Sequence, residues 1–158
     1  MEHDPQEALE ETISILKQIT GGPEVVEWFG GWPQFGDAEV LELRLVRKGS
    51  SLLHLAAEVS AAGRYKGPPF KHAVFEFVLR DMIDVHIDGF SHQNVIGGLT
   101  LRRTEDEAVH PSLYGIGLVR GGVEIELEPC AGALGLIRCT IDSIKIIPVE
   151  NYQEADLS

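Results

Sequence analysis

Between Trp28 and Leu45 the hydrophobic pattern of this chain changes period, and that change limits the fold more than any other feature. Ahead of it, Asp4, Pro5 and Glu7 read as N-cap, first helical position and capping-box acid, and Leu9, Ile13, Leu16 and Thr20 recur at helical spacing. This predicts one amphipathic leading helix over 5–19, stopped by Gly21 and Gly22, with a short helical turn beginning at Pro23. Beyond the change, Leu41, Leu43 and Leu45 alternate with Glu42 and Arg44, the two-residue period of a strand with one wet face.

The stretch in between, WFGGWPQFGD, predicts a rigid corner. Gly30 and Gly31 permit backbone angles closed to other residues, and Pro33 fixes its own φ and biases Trp32 toward extended geometry. Trp28, Phe29, Trp32 and Phe35 supply large apolar surfaces around it. Asp37 stands just ahead of the strand, where a short carboxylate accepts hydrogen bonds from turn amides. Trp32, Pro33, Phe35 and Asp37 are therefore assigned to architecture rather than to chemistry.

From there on, short alternating segments follow one another with turn signals between them. Lys48–Ser51 closes a hairpin, and Leu53, Leu55, Ala57 and Val59 continue the period. A loop over 61–69 leads to a pair of strands at Ala73–Leu79 and Ile83–Ile87, then one at Asn94–Leu101 bent at Gly97 and Gly98. Residues 102–113 read as a charged loop, Tyr114–Arg120 and Val123–Glu128 as a hairpin on Gly121 and Gly122, and Leu136–Ile147 as a long final strand. The expectation is a mostly β protein: an antiparallel sandwich or barrel-like sheet of about eight strands with an N-terminal α-helix. We expect one domain over 1–158, with a β-rich core at 28–148 and a polar tail at 149–158.

At 158 residues such a domain buries about two thirds of its unfolded surface and needs no disulfide staple. Cys130 and Cys139 fit neither a CxxC redox pair nor a zinc set and read as reduced, mostly buried thiols. No run of residues approaches the length of a membrane span, and the acidic N-terminus does not read as a secretory signal, so a cytoplasmic location without membrane contact is expected. The formal charge of −12, from 25 acidic and 13 basic residues, repels nucleic acid phosphates and speeds encounter with a basic protein.

Two constellations carry possible chemistry. Asp84, His86 and Asp88 alternate with Ile83, Val85 and Ile87 and project from one face of a strand. With His110 as a distant third ligand, His86 and Asp88 form an HxD-type metal pattern, and a small β-barrel binding a metal or ligand is the alternative reading of the chain. Glu124, Glu126 and Glu128 alternate with Val123, Ile125 and Leu127, lining a strand at intervals of about 7 Å. As a functional element the row receives Lys or Arg from a basic partner; as a plain one it is a strand face kept charged against edge aggregation. No nucleophile elbow and no phosphate-cradling glycine motif occurs, and His3, His54 and His72 stand alone. No catalytic residue, cofactor or resident metal is assigned.

With WPQFGDAEVLELRL at 32–45, VHIDGFSHQNVI at 85–96 and LEPCAGALGLIRCTIDSIKI at 127–146, the chain resembles the immunity protein 50 family of bacterial polymorphic toxin systems. It departs from the family in carrying Gly36 where a His often precedes the Asp of the corner. The resemblance implies a non-enzymatic, β-rich inhibitor that binds a cognate toxin protein and occupies its working surface. A basic toxin would meet Glu124, Glu126 and Glu128, with Asp84 and Asp88 as a second patch. A third reading is a homodimer formed by strand pairing across a two-fold axis.

Overall fold

The computed structural model describes residues 4–60, 70–104, 122–132 and 134–149. Two helices come first, α1 (Pro5–Lys17) and α2 (Gly22–Trp28), and six strands follow: β1 (Glu39–Arg44), β2 (Ser51–Ser60), β3 (Phe70–Asp88), β4 (Val95–Arg103), β5 (Val123–Ala131) and β6 (Leu134–Pro148). The strands are antiparallel and hydrogen-bonded in the order β1-β2-β3-β6-β5-β4, and the sheet closes into a barrel where Glu39 of β1 pairs with Val95 of β4. Among the described residues no helix is long and apolar enough to cross a membrane.

The leading helix starts as expected. The Asp4 side chain accepts a hydrogen bond from the Gln6 amide at 2.9 Å, and Pro5 opens the first turn. It ends at Lys17, earlier than the pattern implies, because Gln18 and Ile19 already donate to Ile15 and Leu16 in a tightened final turn. Its buried side is Thr12, Ile15 and Leu16. Thr12 is the informative one. The β1–β4 contact is short, so the outer edge of β4 runs on past it, and α1 covers that edge. The Leu101 amide donates to Thr12 Oγ1 at 3.1 Å and the Arg103 amide donates to Glu11 Oε2 at 3.1 Å. Side chains of a helix thus supply the acceptors that a seventh strand would otherwise provide.

Among the described residues six strands stand where about eight are expected over the whole chain, for two reasons. The segments at 73–79 and 83–87 are one strand of 19 residues, β3, which pairs with β6 along most of its length. The register slips between Arg80 and Asp84, where Asp81 takes φ of +50°, so the polar break that reads as a turn is a bulge that bends one strand. The segment 114–120 lies outside the described residues, as do the loop at 61–69, His3, His110 and the tail from 150. A smaller slip shifts β1. Leu41 is the extra residue of a bulge between Val40 and Glu42, so Val40 rather than Leu41 is buried, and Leu45 lies beyond the strand, 53% exposed.

The barrel interior is filled by the inward residues of this ladder: Leu53 and Leu55, Phe75, Phe77 and Leu79, Leu101, Ile125 and Ile137, all at or near zero exposure. The aromatic corner closes it from the side. Gly30 and Gly31 adopt φ of +77° and +98°, the left-handed values that glycine tolerates, and turn the chain out of α2. Phe29 and Phe35 then lie 5.5 Å and 5.3 Å from the Phe75 ring, with Trp28 at 5.1 Å, and Pro33 is buried among the corner residues. Trp32 departs from expectation, since it points outward and is 45% exposed. Asp37 has φ of +65°, a value a short polar side chain accepts better than most, and its amide donates to the Ile96 carbonyl at 2.9 Å, tying the corner to β4.

Candidate functional site

Because β6 runs between β3 and β5, the two acidic sets that lie far apart in sequence share one outward face of the barrel. Asp84, His86 and Asp88 come from β3, and Glu124, Glu126 and Glu128 from β5. Between them β6 contributes Arg138, Leu136 and Leu134 in turn, paired opposite Asp84, His86 and Asp88. β5 is an inner strand of a closed sheet, so protection of a sheet edge does not explain its row of glutamates.

One half of this face is internally neutralised. Asp84, Arg138, Glu124 and Arg102 are successive partners across β3, β6, β5 and β4, and their charges alternate in sign. Arg102 donates to Glu124 at 2.8 Å and to Glu126 at 2.9 Å; Arg138 donates to Glu124 at 3.0 Å and stands 3.8 Å from Asp84. Burial by itself raises the Glu124 carboxyl, but hydrogen bonds from both arginines outweigh it and hold the group below its ordinary value of 4.5. Burial likewise works against the Arg102 guanidinium, and its bonds to Glu124 and Glu126 overcome that and raise it. Glu124, expected to await a partner's cation, already holds two of this chain's own.

The other half is not neutralised. Toward the β5–β6 turn the face opens into a groove of about 530 Å³ lined by His86, Asp88, Glu126, Pro129, Leu134 and Leu136. Leu134 is 40% exposed there, and Asp88, Glu128 and Pro129 are exposed as well. Among the described residues neither Asp88 nor Glu128 has a cationic partner. The Glu128 carboxylate leans over Gly98 of β4, where an added Cβ would come within 3.1 Å of it. Under the groove Gly135 lets β6 approach β3, since a Cβ on it would lie 2.1 Å from the His86 carbonyl oxygen.

The HxD pattern resolves differently from its sequence reading. His86 Nε2 lies 3.1 Å from the Asp84 carboxylate, a local pair on one strand. Among the described residues no three of His, Cys, Asp or Glu stand close enough to hold a metal ion, and His110 lies outside them. His54, which stands alone in sequence, is buried between two strands' carboxylates, 3.4 Å from Glu42 and 3.0 Å from Glu76. His72 pairs with Glu58 at 3.2 Å. The cysteines divide: Cys139 is buried and its thiol is pushed up to about 12 by desolvation, while Cys130 is exposed rather than buried. The arginine partners of Glu124 and the leucines of the groove carry no sequence motif, and only the register across β6 brings them in.

Comparison of the chain with protein-family models, with curated proteins and with solved structures returns no match.

Proposed function

We propose that this chain is a non-enzymatic immunity protein, acting in the cytoplasm, that binds and neutralises a cognate bacterial toxin. The observation that carries the reading is the acidic outer face of β3, β6 and β5, where exposed Leu134 and half-buried Leu136 sit near Asp88 and Glu128, carboxylates with no cationic partner among the described residues. An apolar centre with a charged rim is the composition of a protein-recognition surface: the centre supplies affinity on desolvation and the rim selects and steers the partner. The net charge of −12 extends that steering to the whole molecule and favours a basic toxin. The sequence resemblance to immunity proteins points the same way.

Co-expression with the toxin-like gene adjoining its own tests the reading. Restored growth on toxin induction, together with a stable complex on co-purification, is the expected result. Growth arrest with no complex contradicts it.

A further inference from the structure

We propose that the groove over Leu134 and Leu136 is the docking site for a cationic segment of the partner, one that seats an apolar side chain between flanking Lys or Arg residues. The inference rests on the inhibitor reading above and assigns it a place.

Three observations select this site and this occupant. The groove is open along the surface rather than enclosed, so it suits a chain segment lying across it better than an engulfed small molecule. Its floor is apolar: exposed Leu134 and Pro129 and half-buried Leu136 line it on a face that is otherwise charged, and Leu134 is one of few large hydrophobic side chains so exposed among the described residues. Its β3 side carries Asp88 and its β5 side Glu126, with Glu128 next along β5 and its carboxylate over Gly98; among the described residues Asp88 and Glu128 have no cationic partner, and Glu126 shares a single arginine with Glu124.

The sign of that rim decides the occupant. A second copy of this chain would bring carboxylates against carboxylates, and an acidic or uncharged segment would leave Asp88 and Glu128 losing water with nothing in return. A segment with Lys or Arg on both sides of an apolar residue meets both rims and the floor together. The nearby Arg138 and Arg102 do not oppose it, because Glu124 and Asp84 already engage them.

Titration of the isotope-labelled protein with the peptide Ac-KLKFK-NH2, followed by amide shifts, tests the groove without any toxin. Saturable shifts confined to residues 86–88, 126–128 and 134–136 are expected. Leu134→Ser should weaken binding about tenfold, and Asp88→Asn with Glu128→Gln about tenfold together, with a steeper loss in salt for the parent than for the pair. Glu58→Gln, on β2, removes one charge elsewhere and should leave binding unchanged. Absence of saturable shifts, undiminished binding in Leu134→Ser, or equal binding of Ac-KGKGK-NH2 overturns the proposal. A toxin that co-purifies yet leaves these amides unprotected from hydrogen exchange also overturns it, while leaving the inhibitor reading intact. Peptide binding at the groove without restored growth or a stable toxin complex leaves the groove assignment intact and overturns the inhibitor reading.

Discussion

The outer face of β3, β6 and β5 has two halves built from the same residue types, and they do opposite things with their charge. In the half around Arg138, each carboxylate faces a cation one strand away, and the row Asp84, Arg138, Glu124, Arg102 closes on itself. In the half around Leu134, the cross-strand positions that would hold arginines hold leucines, and among the described residues Asp88 and Glu128 have no cationic partner. A row of glutamates on one strand is therefore not one functional unit. Glu124 belongs to the fold, Glu128 belongs to the surface, and Glu126 stands at the border between them.

The two halves share the β3–β6 contact, so the change that damages both is expected to have the largest effect. Gly135→Val places a branched side chain where a Cβ already meets backbone at 2.1 Å, and the strands must part. A loss of about 3 kcal/mol is expected, read as a fall in Tm on the order of 10 °C by calorimetry. Next comes the neutralised half alone. Arg102→Ala leaves Glu124 one cation and Glu126 none, and should lower the free energy of unfolding in urea by about 1–2 kcal/mol.

The acid limb of stability sharpens the contrast further. The native Glu124 carboxyl lies below its ordinary value of 4.5, so on acidification the unfolded chain takes up the proton first. Its contribution is complete above about pH 4.5 and is lost as pH falls through the native value. Glu124→Gln should flatten that limb of a Tm-against-pH curve. The smallest effect is expected at the groove. Leu134→Ser removes an already exposed side chain and should shift the urea midpoint by no more than the equivalent of about 0.5 kcal/mol.

Much of the fold is legible along the chain. The capped helix, the glycine-rich corner and the alternation of β2, β4 and β6 are local signals, and they fall close to where the periodicity puts them, although α1 ends at Lys17 and β4 runs on through Arg102 and Arg103, which read as loop. What escapes is non-local. Arg80 and Asp81 look the same in sequence whether they make a hairpin turn or a bulge, and only the pairing of β6 on both sides of them decides for a bulge. The bulge at Leu41 inverts a burial pattern in the same manner. Trp32 is an aromatic residue in a corner of aromatic residues, yet the left-handed glycines before it turn it to solvent while Phe35 goes in. At the candidate site the acidic residues themselves were visible, but their partners were not. Arg102 and Arg138 lie 22 and 14 positions from Glu124, and no periodicity within one strand announces a register between three.

The most direct test sets Glu124→Gln and Leu134→Ser side by side, with urea midpoint and affinity for the Ac-KLKFK-NH2 peptide measured on both. A crossed result is expected: Glu124→Gln loses stability and keeps its affinity, because Glu126 and Asp84 still hold Arg102 and Arg138, and Leu134→Ser keeps its stability and loses affinity about tenfold. Equal behaviour of the two variants, or the crossing reversed, would show that the division of this face into a structural and a binding half is wrong.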